Sequence, residues 1–228
     1  MTTLFKIDIK KKNGVLFDSN NNLIKKFYLG NKNKNKNKQL INEFSGYQWY
    51  FQHLNKIKLY KKKFVVQKKF NSIVLPTLQG QQYKYWNRTI HRTDLIEKVI
   101  NHYKFLWPQK KYVPYHGDLT IENIIFMKKK NVVFIDWENY STKEEWGLDI
   151  CYFLISMLIL PVLNSKKKFI KRSELNLFKI QWEKIFKKKN YSYLNNPIKF
   201  IKKKCNNKNH FFFKITKGLA TQINESIS

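Results

Sequence analysis

The sequence predicts an α+β fold with two lobes, a small antiparallel-sheet N-lobe over residues 1–79 and a mostly helical C-lobe over 80–228. Short apolar strands separated by turn residues dominate the first part, whereas long apolar stripes at helical spacing dominate the second. The 228 residues are 43% hydrophobic and 16% aromatic, which is sufficient to bury a core.

Three strands are predicted at the N-terminus. Phe5–Ile9 alternates into a lysine run, Gly14 provides a turn, and Val15–Phe17 ends in a polar cluster. Leu23–Leu29 is the third strand. The sequence NKNKNKNK at 31–38 has no apolar residue to bury, so we expect a solvated, mobile loop.

A helix and two further strands complete the predicted N-lobe. Apolar residues recur every three or four positions from Gln39 to Leu54, and Glu43 lies just off this stripe. Phe64–Gln67 and Ser72–Leu78 are predicted to be strands, and Gly80 marks the connection to the C-lobe.

Helices are predicted through most of the C-lobe. Arg92–Leu106 and Ser173–Phe186 are amphipathic, with Ser173 as the expected cap. Leu148–Leu163 is almost entirely apolar but shorter than the ~20 residues that span a bilayer, and Pro161 interrupts it, which favours a buried core helix. A final helix is expected at Ile198–Lys203 or near Phe211.

Two neighbouring segments carry the chemical signal. HGDLTIEN at 116–123 has the H-x-D-x-x-x-x-N spacing of a phosphotransferase catalytic loop, in which Asp118 would accept or orient the substrate hydroxyl proton. VVFIDWE at 132–138 is an apolar strand that ends in Asp136. Asn123 and Asp136 offer the hard oxygen ligands that Mg²⁺ prefers. The alternative interpretation is a polar turn followed by an ordinary core strand.

Residues beside these positions are further candidates. His116 is a candidate catalytic residue that would orient the backbone or the metal-binding aspartate, and Gly117 would satisfy a demanding backbone geometry. Glu138 would point to the same side as Asp136 on an extended backbone. A solvent-exposed glutamate is the alternative at this position.

HGDLTIENIIF, FIDWE and GLDI together resemble the aminoglycoside phosphotransferase and choline kinase family, which has a protein kinase-like fold. That family carries H-G-D where protein kinases have H-R-D, and I-D-x-E or I-D-x-D where they have D-F-G. The resemblance is strongest over Tyr115–Phe153. It implies that Glu138 contacts a second metal or the substrate, and that Asp149 supports the catalytic loop from a helix start.

The resemblance also implies an ATP- and Mg²⁺-dependent phosphotransferase. Its acceptor would be a hydroxyl of a small molecule or glycan, such as an amino alcohol, a sugar or an aminoglycoside-like compound. A phosphate-binding lysine is then expected on the third strand, paired with a helix glutamate. Lys25 is favoured, Lys26 is the competing register, and Glu43 is the expected partner.

Two other parts of the N-lobe are expected to contact ATP. A G-x-G-x-x-G motif is lacking, so KKKNG at 10–14 would cover the phosphates. The segment 75–80, which includes Leu78, would form the hinge that binds adenine, although Pro76 and Gly80 could equally be turn residues. This departure from the family pattern favours, as an alternative, a catalytically degenerate kinase-fold binding protein.

The formal charge of +30 raises a second alternative, a basic protein that binds nucleic acid or a membrane surface. Only Arg88, Arg92 and Arg172 are arginines among the 45 basic residues, which argues against specific nucleic-acid recognition because that recognition relies on arginine. Peripheral contact with anionic membranes is consistent with the charge. The first residues do not resemble a signal peptide, so we expect a cytoplasmic location.

Overall fold

The chain divides into two compact units. The computed structural model describes residues 3–8, 13–28, 34–58, 60, 63–69, 71–84, 89–127, 131–187, 189–205 and 210–227. The first unit comprises Met1–Gly80 with two later segments, Pro114–Gly117 and Ile135–Glu144. The second comprises Gln81–Val113, Asp118–Phe134 and Glu145–Ser228. The division predicted from the sequence, between residues 79 and 80, places both of these later segments in the C-lobe.

An antiparallel sheet forms the body of the first unit, in the order β1-β2-β3-β5-β4. Its strands are β1 (Thr3–Asp8), β2 (Asn13–Asp18), β3 (Leu23–Tyr28), β4 (Gln67–Lys69) and β5 (Ser72–Pro76). The three predicted N-terminal strands are therefore confirmed. The expected phosphate-covering residues 10–12 lie outside the described residues, and Asn13 and Gly14 belong to β2.

The predicted strand Phe64–Gln67 is wrong, because only Gln67 is in a strand. Both backbone groups of Phe64 bond instead to one side chain of helix α1 (Lys34–Lys56). The Phe64 N–H donates to Asn55 Oδ1 at 2.9 Å, and Asn55 Nδ2 donates to the Phe64 carbonyl at 2.7 Å. The buried Phe64 ring stacks on Phe51 at 5.3 Å. The Asn55 side chain thus satisfies the backbone groups of Phe64 that a neighbouring strand would otherwise bond.

Helix α1 begins earlier than predicted. Residues 34–38 of the expected mobile loop are its first turns, while 31–33 lie outside the described residues. Lysine is a good helix former, and the buried stripe from Leu40 onward stabilises the helix to which these turns are added. An amphipathic pattern marks the buried part of a helix, and here the helix extends beyond it.

The described part of the second unit is mainly helical and includes the sheet β6-β8-β9. Its helices are α2 (Thr93–Leu106), α3 (Leu148–Asn164), α4 (Arg172–Phe186), α5 (Pro197–Lys204) and α6 (Lys217–Ile227). The sheet strands are β6 (Gln81–Gln82), β8 (Ile124–Phe126) and β9 (Val132–Phe134). A separate two-stranded sheet, β7 (Tyr112–Tyr115) with β10 (Ser141–Glu145), has most of its residues in the first unit. The α+β class is confirmed.

Helix α3 is the buried core helix that its composition predicts. Every residue from Leu148 to Ile159 is buried, and Pro161 lies inside the last turns. Along the described stretches of the chain, none of the helices has both the length and the apolar character needed to cross a bilayer. Ser173 is not the cap of α4, since the helix begins at Arg172 and Glu174 accepts a hydrogen bond from the Lys171 N–H. Helix α6 was not predicted.

Candidate functional site

One group of charged side chains, the Lys26 cluster, lies in the first unit. Its members are Lys26 on β3, Glu43 on α1, and Asp136 and Glu138 in the segment after β9. Lys26 Nζ lies 2.9 Å from Glu43 Oε1, 2.7 Å from Asp136 Oδ1 and 2.9 Å from Glu138 Oε1. A single ammonium group is therefore shared by three carboxylates.

The sequence-based choice of Lys25 is wrong as far as this contact is concerned. Neighbouring residues of a strand point to opposite faces of the sheet, so the two lysines cannot both reach α1. In the register of β3 with β5, Lys26 is opposite Ile73, which is fully buried, whereas Lys25 is opposite the partly exposed Val74. Lys25 is exposed, and the competing register is the one that meets Glu43.

Glu43 is a buried carboxyl group whose charge depends on its neighbours. Burial raises the pKa of Glu43 to about 7, and the nearby Asp136 and Glu138 act in the same direction, while Lys26 opposes them. The side chain is 1% exposed. A buried carboxylate is normally tolerated only with a bonded partner, and Lys26 supplies it.

Asp136 is held in an uncommon backbone conformation. Its φ of 67° lies in the left-handed region, which costs an L-residue about 1–2 kcal/mol. The Asp136 N–H donates to Tyr47 Oη at 2.9 Å, and His116 Nε2 donates to the neighbouring Ile135 carbonyl at 2.9 Å. Helix α1 and the buried histidine thus hold the N–H and the carbonyl of the one peptide group that joins Ile135 to Asp136. Of the two roles expected for His116, this bond corresponds to orienting the backbone.

Trp137 joins the Asp136 segment to α1. Its fully buried ring lies 5.0 Å from Tyr50 and 4.5 Å from His116. A Cβ added to Gly46 would lie 2.7 Å from Trp137 Cβ, so only glycine allows this approach. Packing, together with the Tyr47 bond, therefore sets the position of Glu43 relative to Asp136.

Gly117 also has a steric reason to be glycine. Its φ is 86°, and a Cβ there would lie 2.5 Å from the Asn139 carbonyl oxygen. Both the conformation and the space exclude a larger residue. The glycine of H-G-D is thus required by the backbone that follows the Asp136 segment.

The oxygen atoms of the Lys26 cluster are suited to a metal ion. One oxygen from each of Glu43, Asp136 and Glu138 lies within 4.8 Å of the others. Mg²⁺ binds through hard oxygen ligands of this kind and keeps several waters or phosphate oxygens. Asp136 and Glu138 are partly exposed, at 42% and 25% of their side chains, whereas Glu43 is buried. The two exposed carboxylates are the ones that fit a metal bound from solvent.

A second group, the Asp118 cluster, lies in the second unit and consists of Asp118, Asn123, Tyr152 and His210. Asp118 Oδ1 accepts a hydrogen bond from the Tyr152 hydroxyl at 2.5 Å. Asn123 Nδ2 donates to the Asp118 carbonyl at 2.7 Å and more weakly to Asp118 Oδ2 at 3.3 Å. The amide of Asn123 is thereby oriented with its nitrogen toward Asp118, so a metal would be bound through Oδ1.

His210 completes this cluster from the other side of Tyr152. Its Nε2 lies 2.7 Å from the Tyr152 hydroxyl and 3.8 Å from Asp118 Oδ1. Burial acts to lower the pKa of His210, but the neighbouring Asp118 and Cys205 outweigh it and raise the pKa to about 9. The 3.3 Å bond from the Phe212 N–H to Nδ1 requires an unprotonated Nδ1. In the charged ring this bond is lost, whereas the proton on Nε2 is present in both forms of the ring.

Tyr152 and His210 were not identified from the sequence. Tyr152 lies within the apolar run of α3, where an aromatic residue is expected to belong to the core, and His210 is one of the four histidines scattered outside the catalytic loop. The signal available was the HFFF sequence at 210–213, which places a histidine beside an aromatic stretch.

Leu78 and Asp149 are the two remaining candidates. Leu78 is half-buried in the segment that follows β5. Asp149 is buried in the first turn of α3, where a negative charge complements the helix dipole.

Comparisons with known proteins give distant structural likenesses. No protein-family model matches the chain, and no curated protein sequence matches it. An ethanolamine kinase of Plasmodium vivax is 13% identical, with 99% of this chain and 82% of that chain covered at a TM-score of 0.49. Choline kinase LicA of Streptococcus pneumoniae is 11% identical, with 100% and 92% covered at a TM-score of 0.43.

The bifunctional kinase-methyltransferase WbdD is similar at the same level. It is 14% identical, with 98% of this chain covered at a TM-score of 0.49, and this chain spans 50% of the WbdD chain. At such identities and TM-scores, function has to be argued from the residues of the chain itself.

Proposed function

We propose that this chain is an ATP- and Mg²⁺-dependent phosphotransferase with a protein kinase-like fold that acts on a hydroxyl of a small molecule or glycan. The observation that carries the proposal is the Lys26 cluster. An ammonium group on the third strand, bonded at 2.9 Å to a buried helix glutamate and at 2.7 Å to Asp136, is the arrangement that phosphoryl transfer uses to hold phosphates and metal.

The residues of the first unit fit the binding half of this reaction. Lys26 would donate to phosphate oxygens while Glu43 keeps it in place. Asp136 and Glu138 would hold the metal, and the family resemblance adds Asn123 as a further ligand. Mg·ATP, when bound, supplies the phosphoryl group and neutralises the charge that develops during its transfer.

Asp118 fits the chemical half. Its carboxylate would accept the proton of the acceptor hydroxyl while that oxygen forms its bond to the γ-phosphorus and the bond to the β-phosphate oxygen breaks. ADP leaves, and the proton passes from Asp118 to solvent. The segment 75–80 with Leu78 is proposed to contact adenine.

Incubation of the protein with γ-labelled ATP, Mg²⁺ and a panel of hydroxyl compounds tests the proposal. The panel contains amino alcohols, sugars and aminoglycosides, and thermal unfolding is measured in parallel. We expect Mg·ATP to raise the unfolding temperature and label to appear on one acceptor class only when Mg²⁺ is present. Stabilisation by Mg·ATP with no labelled acceptor and no ATP hydrolysis would instead support the degenerate binding protein.

A further inference from the structure

Asp118 is held by a chain of two hydrogen bonds that no motif predicts. The Tyr152 hydroxyl has one proton, and a carboxylate can only accept, so that proton is donated to Asp118 Oδ1 at 2.5 Å. The tyrosine oxygen must then accept from His210 Nε2 at 2.7 Å. The direction of both bonds follows from which of the three groups carries a proton to donate.

A separate contact assigns the same tautomer to His210. Its Nδ1 accepts a hydrogen bond from the Phe212 N–H at 3.3 Å, which leaves the ring proton on Nε2. If the ring gains a second proton, Nε2 keeps its own. The bond from His210 to Tyr152 is therefore made in both the neutral and the charged form of the ring.

The surroundings keep these groups in one geometry. The Tyr152 ring lies on the buried face of α3, with Phe212 at 5.0 Å and Phe211 at 5.9 Å from it. Among the described residues, the charged and titratable groups that face His210 include Asp118, Tyr152 and Cys205 at the end of α5. A side chain packed in this way has few rotamers open to it, and it can hold a partner within a narrow range of positions.

We propose that Tyr152 and His210 are positioning residues for Asp118, with His210 Nε2 donating to Tyr152 Oη and Tyr152 donating to Asp118 Oδ1. The proposal rests on the proposed phosphotransferase function. Tyr152 fixes the rotation of the carboxylate so that Oδ2, whose bond to Asn123 is the longer at 3.3 Å, faces the acceptor hydroxyl. His210 fixes the tyrosine hydroxyl in the same way.

Tyr152→Phe is the variant that tests the first bond, because it removes one oxygen and keeps the ring. We expect kcat to fall about ten- to a hundredfold, with the KM for ATP within about twofold of the wild type. His210→Phe should behave similarly, whereas His210→Gln, which keeps a donor in reach of Tyr152, should retain most of the activity. In an Asp118→Asn background, Tyr152→Phe should cause no further loss.

Tyr193→Phe is the matched control. The Tyr193 hydroxyl is also buried and donates to a carbonyl, that of Trp146 at 2.8 Å, so its loss reports the cost of removing a buried tyrosine hydroxyl. We expect it to lower the unfolding temperature and leave kcat unchanged. Equal kcat in Tyr152→Phe and wild type, or equal losses in both tyrosine variants, would overturn the positioning role.

Nitrogen NMR of the histidine rings keeps the test independent of catalysis. In the wild type, the His210 signals should show a proton on Nε2, and they should shift in Asp118→Asn and Tyr152→Phe but not in Tyr193→Phe. If the chain transfers no phosphate but these shifts occur, the proposed function fails and the hydrogen-bond chain stands. Unchanged His210 signals in both Asp118→Asn and Tyr152→Phe would overturn the hydrogen-bond chain.

Discussion

At the scale of single residues, Lys26 is the cation of the Lys26 cluster that an anion would contact. Its ammonium is the common partner of three carboxylates, and phosphate oxygens would compete with Asp136 and Glu138 for it. Glu43 is buried, so solvent cannot replace it as the partner of Lys26. It would therefore keep Lys26 in place while phosphate oxygens replace Asp136 and Glu138.

Lys26→Met should therefore weaken Mg·ATP binding, by about tenfold or more, because one charged contact to phosphate is lost. It should also lower the unfolding temperature, since three carboxylates lose their shared cation. Lys25→Met is the matched control on the adjacent exposed position and should change neither value. Calorimetric titration with Mg·ATP and thermal unfolding measure both. An equal loss of affinity in the two variants would contradict the assigned register.

His102 is a buried histidine that makes the stability of the chain depend on pH. Burial lowers its pKa to about 3 on α2, where its ring packs against Phe134 at 5.1 Å. The unfolded chain binds this proton near pH 6.5 and the folded chain does not, so stability is lost as pH falls from 6.5 toward 3. His102→Gln does not titrate, and its free energy of unfolding should fall less steeply over this window.

Urea unfolding at pH 7.5 and at pH 5 checks this prediction. At pH 7.5 both proteins are neutral at position 102, so the comparison there gives the cost of the substitution itself. A free energy of unfolding that falls equally in both proteins between the two pH values would show that His102 contributes nothing to acid sensitivity.

At the scale of elements, α1 and the segment after β9 form one structural support. Gly46 lets the Trp137 ring approach α1, and Tyr47 on the same helix bonds the Asp136 backbone. The position of Glu43 relative to Asp136 thus depends on a glycine of α1 that is not itself a member of the Lys26 cluster.

Gly46→Ala and Gly218→Ala should have opposite effects on stability. Alanine is favoured over glycine inside a helix by about 1 kcal/mol. At Gly218 on α6 an added Cβ meets nothing within 4 Å, so that gain should be realised in part. At Gly46 it would lie 2.7 Å from Trp137 Cβ and force the segment to move. Thermal unfolding gives both signs, and a stabilised Gly46→Ala would contradict the packing described here.

The spacing of apolar residues predicted most helices and strands of this chain. It did not predict which side chains of different elements contact each other. Periodicity was enough for β1 to β3 and for the buried parts of α1 to α4, because burial imposes a regular spacing on each. It could not choose between Lys25 and Lys26, since a shift of one residue changes the face of the strand and only the register with β5 decides it.

The same limit explains the missed residues of the second unit. Tyr152 and His210 are 58 residues apart, and their bond depends on how α3 packs against the segment at 210–214. Neither residue lies in a motif. The catalytic-loop spacing, in contrast, depends on local backbone geometry and could be recognised directly from the sequence.

At the scale of the whole molecule, charge is distributed unevenly. The chain has 45 basic and 15 acidic residues, yet Glu43, Asp136 and Glu138 are gathered around a single lysine. The strongly positive chain would attract a nucleotide, while this local excess of carboxylates would attract a divalent cation. The net positive charge of the whole chain would thus act on the nucleotide, and the local negative charge of the three carboxylates would act on the metal ion.

The most direct test of phosphotransfer is a comparison of Asp118→Asn with the wild type, in the same preparation and with the same acceptor. Labelled-phosphate transfer and the Mg·ATP dissociation constant are both measured. We predict that transfer falls about a thousandfold, because the group that accepts the hydroxyl proton is lost, while the dissociation constant stays within about twofold. Undiminished transfer by Asp118→Asn would contradict the account.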